Sequence, residues 1–233
     1  MEVLKLLIEQ KKTNFIFLGE AGSGKSEIAL NFAMLLSQMT DKTVHFFDMD
    51  MTKPLFRSRE AIFELENAGI VFHFEEQFMD APTLVGGVNR LLRDDTCLVV
   101  MDVGGDHIGA RAVGGFSGEL NKAYTLVYYV LNAFRPWSTD LERIDQTLAA
   151  VLGASRVQLD NIRLIDNPNL GISTTIEDFI EGCRKMNEIV APYKTIDFTC
   201  VNESLYDKAH LLVDTDLMSL HLYLTYPWLS SEF

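Results

Sequence analysis

Residues Asn14-Phe15-Ile16-Phe17-Leu18 form an apolar run that leads straight into Gly19-Glu20-Ala21-Gly22-Ser23-Gly24-Lys25-Ser26 and then into an apolar-periodic stretch. A buried-type strand, a complete G-x-x-x-x-G-K-S loop and a helix in that order describe a triphosphate site. Glycines let the loop curl so that successive backbone N–H groups converge on phosphate oxygens, and the following helix adds the positive end of its dipole. In this motif the lysine, here Lys25, reaches the β- and γ-phosphates and the serine, here Ser26, ligates Mg²⁺. At ordinary residue usage the four fixed positions arise by accident in roughly one chain in a hundred of this length. The helix predicted for 25–39 places Ile28, Phe32, Leu35, Leu36 and Met39 on one face, which anchors the loop to a core.

The rest of the chain repeats the strand-then-helix pattern. Short apolar runs predict strands at 14–18, 43–48, 70–74, 97–102, 125–131, 162–166 and 196–201, of the kind buried on both faces of a parallel sheet. Helices are predicted for 25–39, 58–67, 82–93, 138–152, 175–189 and a region after 204. The expected fold is therefore α/β, three layers, with a mostly parallel sheet between helices. No linker or low-complexity stretch divides the 233 residues, so they read as one domain, 1–233, in which 204–233 is a packing or interaction segment. Leu217, Leu220, Leu222, Leu224, Trp228 and Leu229 give that segment its apolar character, without any Lys or Arg after Leu217.

Composition excludes several functions. The net charge of −13, with no cluster of five basic residues, argues against a nucleic-acid partner. A basic amphipathic membrane helix is not indicated in the tail either. The start lacks a secretory signal and no run of 18 apolar residues exists, so a soluble cytoplasmic protein is expected. Cys97, Cys183 and Cys200 contain no C-x-x-C, and the five histidines no H-x-x-x-H, so neither a disulfide framework nor a sequence-local metal site is suggested.

In a parallel sheet, ligands bind at the carboxyl ends of the strands, so those ends are searched for chemistry. The second strand ends in Asp48-Met49-Asp50, followed by Arg57 and Arg59. These acids and arginines suit water-mediated Mg²⁺ binding and contact with a γ-phosphate or a partner, or else a solvated loop with an Asp cap. Asp48 is the preferred acid because it falls at the strand terminus. The fourth strand, Cys97-Leu98-Val99-Val100-Met101-Asp102, carries an aspartate out of a buried run toward the Mg²⁺ shell. Gly104 and Gly105 behind it can turn an N–H toward the γ-phosphate, and the glycines from Gly109 to Gly118 predict a flexible segment. Asn132 and Asn167 end two later strands, and Asn167 is the candidate for reading an adenine edge, although Asn and Pro also make turns. The N-K-x-D pattern that selects guanine is absent, which favours ATP.

Taken together, the loop Gly19–Ser26, Asp48-x-Asp50, Asp102-x-Gly104-Gly105 and Asn167 resemble, in their order, the MinD/ParA/nitrogenase-iron-protein type of P-loop NTPase across residues 12–200. The resemblance implies a Mg-dependent ATPase that dimerises around nucleotide and uses its nucleotide state to position, load or mature a protein partner, including metallocofactor enzymes. It also implies that Asn167 contacts adenine. One residue departs from the pattern: members carry a lysine directly after the first loop glycine, reaching the partner's phosphates, and this chain has Glu20 there. Arg57, Arg59 and Arg111 are the candidates to supply the missing charge, and a homodimer remains one of the open partner states. A small-molecule kinase or ATP-dependent ligase of the dethiobiotin-synthetase type, and a nucleotide-binding regulator without turnover, are the alternative readings.

Overall fold

The computed structural model describes residues 9–50, 62–73 and 82–224. Its centre is an eight-stranded sheet of order β3-β2-β4-β1-β5-β6-β7-β8, parallel throughout. The strands are β1 (Asn14–Gly19), β2 (Thr43–Met49), β3 (Val71–His73), β4 (Cys97–Val103), β5 (Thr125–Leu131), β6 (Ile162–Asp166), β7 (Ile196–Asn202) and β8 (Leu217–Leu220). Eight α-helices are described: α1 (Lys25–Met39), α2 (Ile62–Asn67), α3 (Pro82–Leu92), α4 (His107–Arg111), α5 (Ser117–Leu120), α6 (Leu141–Ser155), α7 (Ile176–Val190) and α8 (Tyr206–His210).

Every residue of β1, β4 and β5 is buried, as a sheet covered on both faces requires. Alternate side chains then serve two cores. Phe15, Phe17, Val100 and Tyr128 meet Ile28, Phe32 and Leu36 of α1, with the Phe15 and Phe32 rings 4.9 Å apart. Ile16, Leu18, Met101 and Val127 share the opposite core with Ile144 and Val151 of α6 and Met186 of α7. Because β1 lies between β4 and β5, the loop leaving its end emerges at the middle of the sheet, where the chain switches direction.

Several boundaries differ from the sequence reading for identifiable reasons. The helix predicted for 138–152 begins instead at Leu141, because Pro136–Ser138 forms a 3₁₀ turn and the Asp140 carboxylate caps the Arg143 N–H (3.0 Å). The glycine-rich segment after Asp106, expected to be a flexible loop, is folded into α4, a 3₁₀ turn and α5, with Gly109 and Gly114 buried. Asp106 caps α4 by accepting from the Gly109 N–H (2.8 Å), so a capped helix replaces the loop. The helix expected after 204 is only the five residues of α8. Beyond it lies β8, missed in the sequence because four residues carry no readable period. Positions 58–61 of the second predicted helix fall outside the described residues.

The tail is joined to α1. Asn31 donates to His221 O (2.8 Å) and accepts from His221 N–H (2.9 Å), while the Glu27 carboxylate accepts from the N–H groups of Tyr223 (3.0 Å) and Leu224 (2.8 Å). All three cysteines are free, and Cys97 and Cys200 are buried.

One core position is costly. Asp166, at the end of β6, is buried, and among the described residues neither carboxylate oxygen has a hydrogen-bond partner. Burial pushes its carboxyl well above the ordinary range, and the neighbouring Asn167 N–H donates to Leu131 O (2.9 Å). The native state therefore holds a proton that the unfolded chain releases above about pH 4, and stability must fall as pH rises from there toward the folded pKa. Asp166→Asn is expected to flatten that decline in thermal melts recorded between pH 4.5 and 8, as read against wild type.

Candidate functional site

Three fifteen-residue helices illustrate how the site is singled out. Asp140 caps α6, and Thr175 with Asp178 forms a reciprocal capping box on α7, Asp178 N–H donating to Thr175 Oγ1 (3.1 Å). By contrast, α1 starts at Gly24 in a left-handed conformation, φ 92°, without a side-chain cap. A helix that starts from a glycine loop without a side-chain cap is the arrangement that binds phosphate.

The loop before α1 is held from outside. Trp137 Nε1 donates to Ala21 O (3.4 Å), Arg135 Nε to Gly22 O (2.8 Å) and Asn167 Nδ2 to Ser23 O (2.8 Å). Across a trans peptide the C=O and the following N–H point in opposite directions. Tying back the Ala21 and Ser23 carbonyls therefore turns the N–H groups of Gly22 and Gly24 toward the hollow of the loop. The third N–H, that of Ser23, is taken internally by Glu20 O (3.2 Å). Each such bond contributes about 1 kcal/mol net, so the three clamps hold the cradle's shape before any ligand arrives. Lys25, 2% exposed, lies under the loop with Nζ 3.4 Å from Glu20 O.

The acids converge on the same place. Asp48 on β2 and Asp102 on β4 are paired in register, and Asp102 is also paired with Phe17 of β1, one residue before the strand's last apolar position. Asp102 is 1% exposed, Asp48 is half-buried, and Asp48 Oδ1 accepts from the Asp50 N–H (3.2 Å). Gly105 backs directly on the loop: a Cβ there would lie 2.9 Å from Ala21 N and from Lys25 Nζ. Gly104 is similarly confined between Asp50 Oδ1 and Gly109 Cα, each 2.9 Å from a Cβ built on it. Serine hydroxyl and carboxylates are the hard oxygen donors that Mg²⁺ takes, so Ser26, Asp48 and Asp102 fit that ion chemically. Among the described residues no group of three His, Cys, Asp or Glu forms a metal cage.

Glu20 is half-buried. Burial raises its pKa, Lys25 acts in the opposite direction, and Asp106 adds to the rise, which sets the carboxyl among Lys25, Asp106 and the start of α4. Of the three arginines considered as replacement cations, Arg111 is exposed at the last turn of α4, and Arg57 and Arg59 lie outside the described residues. Asn167 is buried, with its amide nitrogen on the loop rather than in solvent. Sequence reasoning missed Arg135 and Trp137. The strand end containing Arg135 had drawn attention for its asparagine, but nothing local shows which side chain folds back 113 residues to Gly22.

Beside the loop a cavity of about 210 Å³ opens between α1 and the ends of β6, β7 and β8. Lys25, Ser26, Arg135 and Asn167 line its polar side, and Phe179, Val201, Leu220 and Leu224 its apolar side.

The CobQ/CobB/MinD/ParA nucleotide binding domain family matches residues 15–193. The chain belongs to this family. It is a MinD/ParA-type P-loop nucleotide-binding domain. Among solved structures, the signal recognition particle receptor FtsY from Elizabethkingia anophelis in complex with GDP is 15% identical, with 86% of this chain and 64% of that one aligned at a TM-score of 0.51. FtsY from Mycoplasma mycoides is 14% identical over 82% of this chain and 61% of that one, with a TM-score of 0.50. The signal recognition particle 54 kDa protein from Aeropyrum pernix in complex with GDP is 16% identical, over 81% and 41% respectively, with a TM-score of 0.47. The likeness to the two FtsY structures at such identity concerns the fold alone, and the chain spans less than two thirds of each of these three proteins. No curated protein sequence matches it significantly. Among the described residues no helix is long and apolar enough to cross a membrane.

The cradle geometry is testable with two alanines. A Cβ on Gly24 would lie 2.1 Å from Asn167 Nδ2 at a φ that L-residues avoid, whereas one on Gly115 meets nothing within 4 Å. Gly24→Ala is expected to cost about 1–3 kcal/mol in urea denaturation and to lose nucleotide affinity, with Gly115→Ala close to wild type in both.

Proposed function

We propose that the chain is a Mg-dependent ATPase whose nucleotide state is read by a protein partner. The observation that carries this reading is the seating of Gly105 against Ala21 and Lys25 Nζ, at the end of the strand that bears Asp102. A segment so placed cannot be indifferent to what occupies the loop. It continues through the Asp106 cap into α4, whose Ile108 is 55% exposed. Occupancy at the loop is thereby connected to an apolar side chain on the surface, which suits recognition of a partner protein.

In this reading Gly19–Ser26 cradles the phosphates, with Lys25 neutralising charge at the β- and γ-positions. Ser26, Asp48 and Asp102 would hold Mg²⁺ directly or through water, and when bound it would supply charge neutralisation at the phosphates. Gly104 and Gly105 sense the γ-phosphate. Asn167 serves the loop through Ser23 O and borders the cavity in which the base is accommodated; the sequence Asn167-Pro168-Asn169-Leu170 lacks the carboxylate that selects guanine in N-K-x-D, which supports ATP. With Glu20 in place of the cross-dimer lysine, turnover by the isolated chain is slow, and a partner or a second cation accelerates it.

Two variants separate binding from chemistry. At 100 times its dissociation constant a ligand stabilises the native state by about 2.7 kcal/mol, which for a domain of this size is about 5–10 °C in Tm. Mg·ATP is expected to produce that shift in wild type, and Lys25→Ala to abolish most of it in differential scanning calorimetry. Asp102→Asn is expected to keep more nucleotide affinity than Lys25→Ala while losing Mg-dependent phosphate release. Wild-type turnover in Asp102→Asn removes it from the mechanism, and ADP release that depends on a small acceptor rather than a protein replaces the partner-reading ATPase with a kinase or ligase.

A further inference from the structure

The phosphate loop contains one buried cation, Lys25, and a half-buried carboxylate, Glu20. Arg135 brings a second cation to it from the turn after β5. That turn is well fixed: Arg135 N–H donates to Asn132 O (2.9 Å) and Arg135 O accepts from Ser138 N–H (3.0 Å). The side chain then lies over Gly22, where a built Cβ would be 3.3 Å from Nε, 3.6 Å from Cδ and 3.8 Å from Cζ. Its Nε is bound to Gly22 O at 2.8 Å.

In a chain of net charge −13, Arg93, Arg143, Arg163 and Arg184 each pair with a carboxylate. Arg135 does not: among the described residues its guanidinium makes the Gly22 bond and no ion pair, while it lines the same cavity as Lys25 and Ser26. A guanidinium offers five N–H donors in a rigid fork, and Nε supplies only one of them.

We propose that Arg135 is a phosphate-binding cation acting within the same chain, Nε holding the Gly22 carbonyl while the terminal amino groups bind phosphate oxygens of the nucleotide in that loop. This rests on the nucleotide-binding reading above. Anchoring at Nε restricts the side chain before binding, so less rotamer entropy is lost when phosphate arrives. It also places a second positive charge beside the loop, from a residue that follows β5 rather than from the loop itself.

The test is equilibrium titration with Mg·ATP and with inorganic tripolyphosphate, which has neither base nor ribose, each at low and high ionic strength. Wild type is expected to bind both. Arg135→Ala should weaken both by about ten- to a hundredfold and reduce their salt dependence. Arg135→Gln, which can still donate to Gly22 O but carries no charge, should behave like the alanine variant. Arg135→Lys should recover part of the affinity and most of the salt dependence, with ligand-free melting temperatures reporting that each variant is folded. Should Arg135→Gln bind tripolyphosphate as tightly as wild type, with the same salt dependence, Arg135 is only a carbonyl anchor and the proposal falls while the nucleotide site stands. Failure of wild type to bind either ligand removes both readings.

Discussion

The structure depends on how three carbonyls of one loop are held. Ala21, Gly22 and Ser23 each direct a C=O outward to Trp137, Arg135 and Asn167, residues that follow the ends of β5 and β6. A short glycine-containing loop has many conformations open to it, and Gly loses more freedom on ordering than any other residue. Side-chain donors mounted on two buried strands remove that freedom in advance. The uncapped start of α1 completes the arrangement, since the helix and the loop direct N–H groups into the same space.

The same economy of space explains the segment after β4. Gly104, Gly105 and Gly109 are not there to make a loose loop. A Cβ on Gly109 would meet Gly104 Cα at 2.5 Å, so the two backbones touch, and Gly105 touches the phosphate loop in turn. Contact of backbone with backbone transmits displacement without slack, because packed interiors yield little to strain. Asp106 caps the helix that this segment becomes, so Gly105 leads into a structured element rather than into coil.

On the opposite side of α1, the tail contributes a further constraint. Glu27 and Asn31, two and six residues after Lys25, bind the backbone of residues 221–224, and β8 supplies the edge of the sheet next to β7. Leu220 and Leu224 also line the cavity beside the loop. The helix that presents Lys25 and Ser26 is thus packed between the central strands and the last described residues, which makes the tail part of the site's wall.

What the sequence by itself determined is the part of the molecule made of neighbours in the chain. The run from Asn14 to Met39 contains strand, loop and helix in immediate succession, and each strand that carries an acid announces itself by a few apolar residues before it, so the α/β class, Lys25, Asp48 and Asp102 are legible without coordinates. The tertiary structure decided everything that depends on the order of strands. Only a sheet in which β5 lies beside β1, and β6 beside β5, brings Arg135, Trp137 and Asn167 to carbonyls more than a hundred residues away. Likewise, Gly109 and Gly114, which read as flexibility, became close packing once a neighbouring backbone filled the space a side chain would need. Local pattern specifies an element because its hydrogen bonds and periodicity are satisfied within a few residues, whereas a contact across the sheet has no signature in either of the segments that make it.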